Sequence, residues 1–273
     1  MANDNIKIRL LQTIPEYHDC EELQKSVWQF QDRDIIPVNE LVNIQKNGGI
    51  VLGAFMNKKM IGFAFGFAGI KDKTLIHNSR MVAVLPQYRN SSIAYRLKIA
   101  QRNFVRKQGI KLMTWTFDPL QSINAYFNIR KLGVIVREYY VNLYGMHSSV
   151  LNKGLETDRF LAEWDIHKKF KSSKVQEFKS ISNNKLLVNL TRYNKKGLLV
   201  CGKPKLNLKS KRLLVEIPSD IMSLKKADMK LARDWRLKTR EIFTSYFKKG
   251  YIINDFISQE EGGKRHGFYV LTR

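Results

Sequence analysis

The apolar positions of residues 5–14, NIKIRLLQTI, predict a first strand, and Pro15 suits the opening turn of a helix that runs to about Phe30. PVNELVNIQKN predicts a second, short helix ending at the Gly48, Gly49 pair. GIVLGAF and KMIGFAFGFAGI are two runs of β-branched, aromatic and small residues with Met56, Asn57, Lys58 and Lys59 at the junction between them, which is a hairpin signal. A fourth strand, 75–85, stops at Pro86. In SSIAYRLKIAQRNFVRKQG the apolar residues Ile93, Leu97, Ala100 and Phe104 recur at helical spacing, with Arg96, Lys98, Arg102 and Arg106 on other faces. That pattern predicts an amphipathic helix closed by Gly109. IKLMTWTF then reads as a strand, DPLQSINAYFNIRKLG as a turn and helix ending at Gly133, and VIVREYYVNLY and RFLAEWDI as two more strands.

This order of elements is an α/β (α+β) arrangement around a mixed sheet, with a first domain at 1–166. Residues 167–184 are rich in lysine and serine and read as a basic linker. Residues 185–273 read as a smaller C-terminal α/β extension. Its expected strands are LLVNLTRY, LLVCG, LLVEIP, YIINDFI and HGFYVL, and a single long helix is expected over Ser219 to Lys249. FTSYFKKGYIINDF echoes INAYFNIRKLGVIVREY, and the shared physics of a helix followed by a strand explains this as well as duplication does.

The segment with the clearest chemistry is VLPQYRNSSIAYRL, residues 84–97, where a strand ends, the chain turns and a helix starts. Main-chain N–H groups in the first turn of a helix lack internal partners, and the helix dipole adds positive potential there, so an anion is favoured. The alternative is a polar loop in which Ser91 caps the helix and no ligand binds. The segment resembles the signature loop of the GNAT acyltransferases, in which an Arg or Gln is followed by two residues, Gly, one residue, and Gly or Ala. Arg89, Asn90, Ser91, Ser92, Ile93 and Ala94 stand in that pattern, with Ser92 where the family usually has glycine. VLPQYR, WTFDPLQSINAYFNIRKLG and WRLKTREIFTSYFKKGY further resemble a little-characterised branch of that family, across both halves of the chain.

The resemblance implies a GNAT-like splayed central sheet flanked by helices, with the pyrophosphate of coenzyme A at residues 89–94. The pantetheine arm would lie along Met81, Val82, Ala83 and Val84. It implies an N-acyltransferase that moves an acyl group, acetyl or succinyl, from coenzyme A to a small amine, with amino acids among the acceptors suspected for the branch. Many relatives carry a proton-donating tyrosine four residues before the glycine that ends the later helix. Ile129 stands there, and Tyr126, one turn earlier, is the candidate acid. His77 and Asp118 are the candidate bases, with Asp118 equally suited to capping the helix after it and His77 to a loop. A base acting through water fits as well. Glu138 and Tyr140 share one face of a strand bordering the acceptor, with Tyr139 on the other. Arg236 and Arg240 share a helix face and suit either a ligand carboxylate or solvent.

Composition changes this picture in one respect. The 273 residues carry 48 Lys and Arg against 24 Asp and Glu, a formal net charge of +24. Such a field attracts coenzyme A, nucleic acid and anionic membranes alike, and a lysine-rich solvated surface accounts for it equally. A nucleic-acid-binding protein and a GNAT fold that binds acyl-CoA without catalysis are therefore the rival readings. Cys20 and Cys201 form no cluster with histidines, so no disulfide scaffold or metal site is expected. The start resembles no signal peptide and the longest apolar run is too short to span a bilayer, so a cytoplasmic protein is expected. The C-terminal unit is open to three roles: forming part of the acceptor pocket, joining a homodimer, or stabilising the fold.

Overall fold

The computed structural model describes residues 6–89, 91–145, 154–168 and 185–273, so the expected linker lies outside them from 169 to 184. By compactness the chain divides into two units at Trp115 and Thr116. One unit holds the described residues up to Trp115 with 165–168, and the other holds 116–145, 154–164 and 185–273.

The first unit contains β1 (Ile6–Leu10), α1 (Ile14–Trp28), α2 (Val38–Lys46), β2 (Ile50–Met56), β3 (Lys59–Lys71), β4 (Thr74–Val84), α3 (Ile93–Lys107) and the start of β5 (Leu112–Phe117). β1 is shorter than its apolar pattern because Glu16 accepts from the Gln12 N–H at 2.7 Å and is held by Arg9, which turns the chain into α1. Strands β1 to β5 pair in sequence order, antiparallel except for the parallel β4–β5 pair. α1 and α2 cover one face through Tyr17, Leu23, Leu41, Phe63 and Phe65, while α3 covers the other through Ile93, Leu97, Leu52, Ile61 and Ala64. β2 and residues 60–66 of β3 are buried on both faces, which is why their sequences are continuous apolar runs.

The second unit contains α4 (Ser122–Ala125), which continues into a π-wound segment Tyr126–Lys131, then β6 (Ile135–Tyr140) and β7 (Arg159–Asp165). These are followed by β8 (Thr191–Tyr193), β9 (Leu199–Cys201), β10 (Arg212–Ile217), α5 (Ile221–Ala227), α6 (Met229–Lys248), β11 (Ile252–Glu261) and β12 (Lys264–Thr272). β7, β6, β11, β12 and β10 pair in that order, antiparallel throughout, around Phe160, Trp235, Phe243 and Tyr269. Rings Phe160 and Phe243 meet edge to face at 4.7 Å.

Two expectations change here. The helix expected over Ser219 to Lys249 is two helices, because Asp228 leaves helical geometry and its side chain caps α6 through the Leu231 N–H at 2.9 Å. Of LLVNLTRY only Thr191–Tyr193 is a strand; Asn189 meets both main-chain groups of Glu216 with its side-chain amide, at 2.9 and 3.0 Å, in place of a strand ladder. The echo between the two helix-to-strand segments has a structural counterpart. Gly133 and Gly250 follow the two helices at φ 77° and 81°, and the strands after them pair at Val136 and Ile253. No helix among the described residues is long and apolar enough to cross a membrane.

Candidate functional site

β4 pairs with β3 as far as Val84 opposite Gly62. Its pairing with β5 covers only Ile76, His77 and Asn78, opposite Leu112, Met113 and Thr114. The two strands therefore part at Ser79, and along Met81 to Val84 the ladder among the described residues is to β3 alone. After β4 the chain makes a 3-10 turn, Pro86–Tyr88, and enters α3. The Ser91 hydroxyl donates to the Tyr88 carbonyl, so it does not cap the helix in the way the alternative, ligand-free loop would require. Ser92 occupies the cap position, with φ 60° in the left-handed region and no side-chain cap bond. Glycine enters that region at no steric cost, so a serine here is held in a conformation that glycine would adopt more easily. The helical ladder of α3 starts where the Arg96 N–H donates to the Ser92 carbonyl at 2.9 Å, so the N–H groups of Ile93 and Ala94 precede it. No acidic residue stands in the first turn. An uncapped helix start without a carboxylate fits a diphosphate. Arg89 turns back, its Nε 3.4 Å from the Val84 carbonyl, and Asn90 lies outside the described residues.

Behind the fork, under α3, lies a buried polar cluster. His77 sits in β4 and not in a loop, and it is wholly buried. Its Nε2 is 3.3 Å from the Gln101 amide, Gln101 accepts from the Ser79 hydroxyl at 2.6 Å, and Ser79 accepts from Lys98 Nζ at 2.9 Å. Lys98 Nζ also stands 3.2 Å from the centre of the Trp115 ring. Lys98, expected on a solvated face, is 2% exposed, and burial pushes its pKa well below the usual lysine range. Burial, helped by the charge of Lys98, lowers the His77 pKa to about 4. Gly66 makes room for the cluster: a Cβ there would stand 2.4 Å from the Asn78 carbonyl and 2.5 Å from the His77 ring.

The remaining candidates belong to the second unit. Asp118 follows β5 and accepts from the Leu120 N–H at 2.8 Å, closing a turn, while α4 starts only at Ser122. Its other oxygen accepts from Arg236 Nη2 at 2.7 Å, with Arg159 3.7 Å away. Burial opposes ionisation of Asp118, but the two arginines outweigh it and hold the pKa below the usual carboxylate range. Arg240 holds Asp158 through Nε and Nη2 at 2.8 and 2.9 Å, so neither arginine lies on a merely solvated face. Asp158 also accepts from the Tyr139 hydroxyl at 2.6 Å. On the other face of β6, the Tyr140 hydroxyl donates to Glu138 at 2.7 Å, in keeping with the alternation. Tyr126 is 36% exposed at the start of the π-wound segment, whereas Ile129 is packed in the core.

Sequence reasoning missed Lys98, Ser79, Gln101 and Arg159. The signal for the first three was present as polar residues on a sheet-facing helix turn opposite a His-x-Ser pair in the strand.

The chain matches no protein-family model and no curated protein. It is similar to solved structures of several acetyltransferases. One is the ribosomal-protein-S18-alanine N-acetyltransferase from Escherichia coli, 14% identical, with 62% of this chain and 99% of that one covered and a TM-score of 0.48. Another is an acetyltransferase of the GNAT family from Streptococcus pneumoniae, 13% identical, covering 58% and 98%, with a TM-score of 0.48. A third is a GNAT family acetyltransferase from Elizabethkingia anophelis with acetyl-CoA bound, 17% identical, covering 59% and 99%, with a TM-score of 0.44. Likenesses this distant carry no statement about the activity of this chain.

Proposed function

We propose that this protein is an acyl-CoA-dependent N-acyltransferase that moves an acetyl or succinyl group to a small amine by direct attack. One observation carries the reading: β4 loses its β5 partner after Asn78 and leads through the left-handed Ser92 into an uncapped helix start. A free strand edge offers main-chain groups to an extended amide-bearing arm, and the helix start offers N–H groups to phosphates. The resemblance of residues 84–97 to the GNAT loop supports the same assignment.

Coenzyme A would supply an activated acyl thioester. The reading assigns its diphosphate to Arg89, Asn90, Ser91, Ser92, Ile93 and Ala94, and its arm to Met81, Val82, Ala83 and Val84. A main-chain N–H of β4 stabilises the charge that develops on the thioester oxygen. Tyr126 is assigned the proton for the leaving thiolate, and Glu138 and Tyr140 are assigned to the amine. His77 and Asp118 are both weak bases at neutral pH, one with a pKa of about 4 and the other held ionised by Arg236 and Arg159. Their weakness favours a base acting through water.

The test is a thiol-release assay with acetyl-CoA and succinyl-CoA against amino acids of both hands, polyamines and peptide N-termini. Amine-dependent release is the expected result. Ser92→Asp places a carboxylate at the helix start and is expected to weaken coenzyme A binding by about tenfold or more, read by calorimetric titration. A wild-type protein with no affinity for coenzyme A or its thioesters would overturn the proposal.

A further inference from the structure

Arg236 stands out among the described residues because two of its buried donor atoms are unmatched. It is 1% exposed, and a guanidinium has five N–H donors and cannot shed its proton. Nη2 is taken by Asp118, yet Nε and Nη1, both buried, have no acceptor among the described residues. Burial works against the charge, but Asp118 outweighs it and keeps the guanidinium firmly protonated. Leaving cationic donors dry and unpaired is among the costliest arrangements a protein interior can hold.

The surrounding charge points the same way. Arg159 stands 3.7 Å from the Asp118 oxygen that Arg236 already uses, so two guanidiniums bear on one carboxylate oxygen. Asp158 makes its hydrogen bonds elsewhere. Its oxygens are occupied by Arg240, the Tyr139 hydroxyl and the Asn142 N–H. Arg236 and Arg159 thus share the one Asp118 carboxylate, and Lys225, 8% exposed, is electrostatically coupled to both Asp118 and Arg236. The cluster is not sealed, because the side chains of Asp118 and Arg159 keep 12% and 11% of their surface in contact with solvent.

We infer that Arg236 is the anchor of an anion site within the second unit that takes the carboxylate group of a ligand, with Asp118 positioning the guanidinium. A planar carboxylate matches the planar guanidinium and its remaining N–H groups, and brings negative charge to a place where two arginines bear on one carboxylate oxygen. The inference does not depend on the acyl-transfer reading: the residues that carry it all lie in the second unit, and it would stand if coenzyme A did not bind.

The experiment uses the full chain with arginine Nε resonances followed by proton–nitrogen NMR, titrated with acetate, with inorganic phosphate, and with chloride at matched ionic strength. Acetate is expected to shift the Arg236 Nε signal saturably and to raise the melting temperature, while chloride does neither. Arg236→Lys keeps a cation beside Asp118 but loses the fork, and is expected to weaken acetate binding roughly tenfold with the fold retained. An Arg236 signal indifferent to acetate, or responding to acetate no more than to chloride, overturns the inference. Saturable binding of phosphate in preference to acetate overturns the carboxylate assignment. Because the signals are read on the wild-type protein, a variant that fails to fold leaves the test intact.

Discussion

Under α3, Lys98 is buried with a hydroxyl and an indole ring as its contacts, whereas around Asp118 two arginines bear on one carboxylate oxygen. Both clusters take cations out of water, and the two residue types answer that demand differently. Lysine can release its proton when desolvated, so Lys98 is tolerated with no carboxylate partner among the described residues. Arginine keeps its charge at any physiological pH, so Arg236 needs Asp118, and needs more than Asp118 gives it. One interior adapts by changing protonation state, and the other by recruiting counter-charge.

The sharpest way to break this contrast is Asp118→Asn, which leaves Arg236 and Arg159 without their shared anion. Losing one partner of a buried pair is expected to cost about 3–5 kcal/mol, read by urea denaturation. A loss below about 1 kcal/mol would mean that solvent already reaches the arginines. The next effect comes from pH. The folded His77 pKa, about 4, lies below its ordinary 6.5, so between these values the unfolded chain binds the extra proton. Stability is therefore full above about 6.5 and falls as pH drops toward 4, by about 3 kcal/mol from this residue. His77→Gln should remove that slope, and an unchanged slope would place the acid sensitivity elsewhere. The smallest effect is a gain: Lys98→Met keeps the stem against Trp115 and removes the desolvated amine, for an increase of about 1–2 kcal/mol at neutral pH. Because the folded lysine pKa is depressed, the unfolded chain holds more protons, and the gain should narrow as pH rises toward the ordinary value of 10.5. A destabilised Lys98→Met would show that the amine is needed charged.

Much of this fold was legible from periodicity, because β2, β3, α3 and β5 each bury a face set by short-range pattern. The break at Asp228 escaped notice, since an aspartate that caps one helix and ends another looks like any solvated residue within a long amphipathic stretch. The interior polar groups escaped for a similar reason. Lys98 and Gln101 have the residue types of an outer face, and only β4, with His77 and Ser79 beneath them, gives them partners. The strand-turn-helix of the candidate site could be read directly, but the meaning of Ser92 could not, because a backbone angle is invisible in a residue name. Arg236 and Asp118 are 118 positions apart, and no local pattern joins them.

The π-wound segment at Tyr126–Lys131 has a bearing on how this chain is aligned with others. Its main-chain bonds skip one more residue than an α-helix allows, as from the Leu132 N–H to the Phe127 carbonyl at 3.0 Å. Lys131 consequently stacks over the Tyr126 ring, 5.7 Å from its centre, from five positions ahead. Counting backward from Gly133 as though the turns were of ordinary width selects the wrong angular position, and a single-residue offset here rotates every side chain upstream to a different direction.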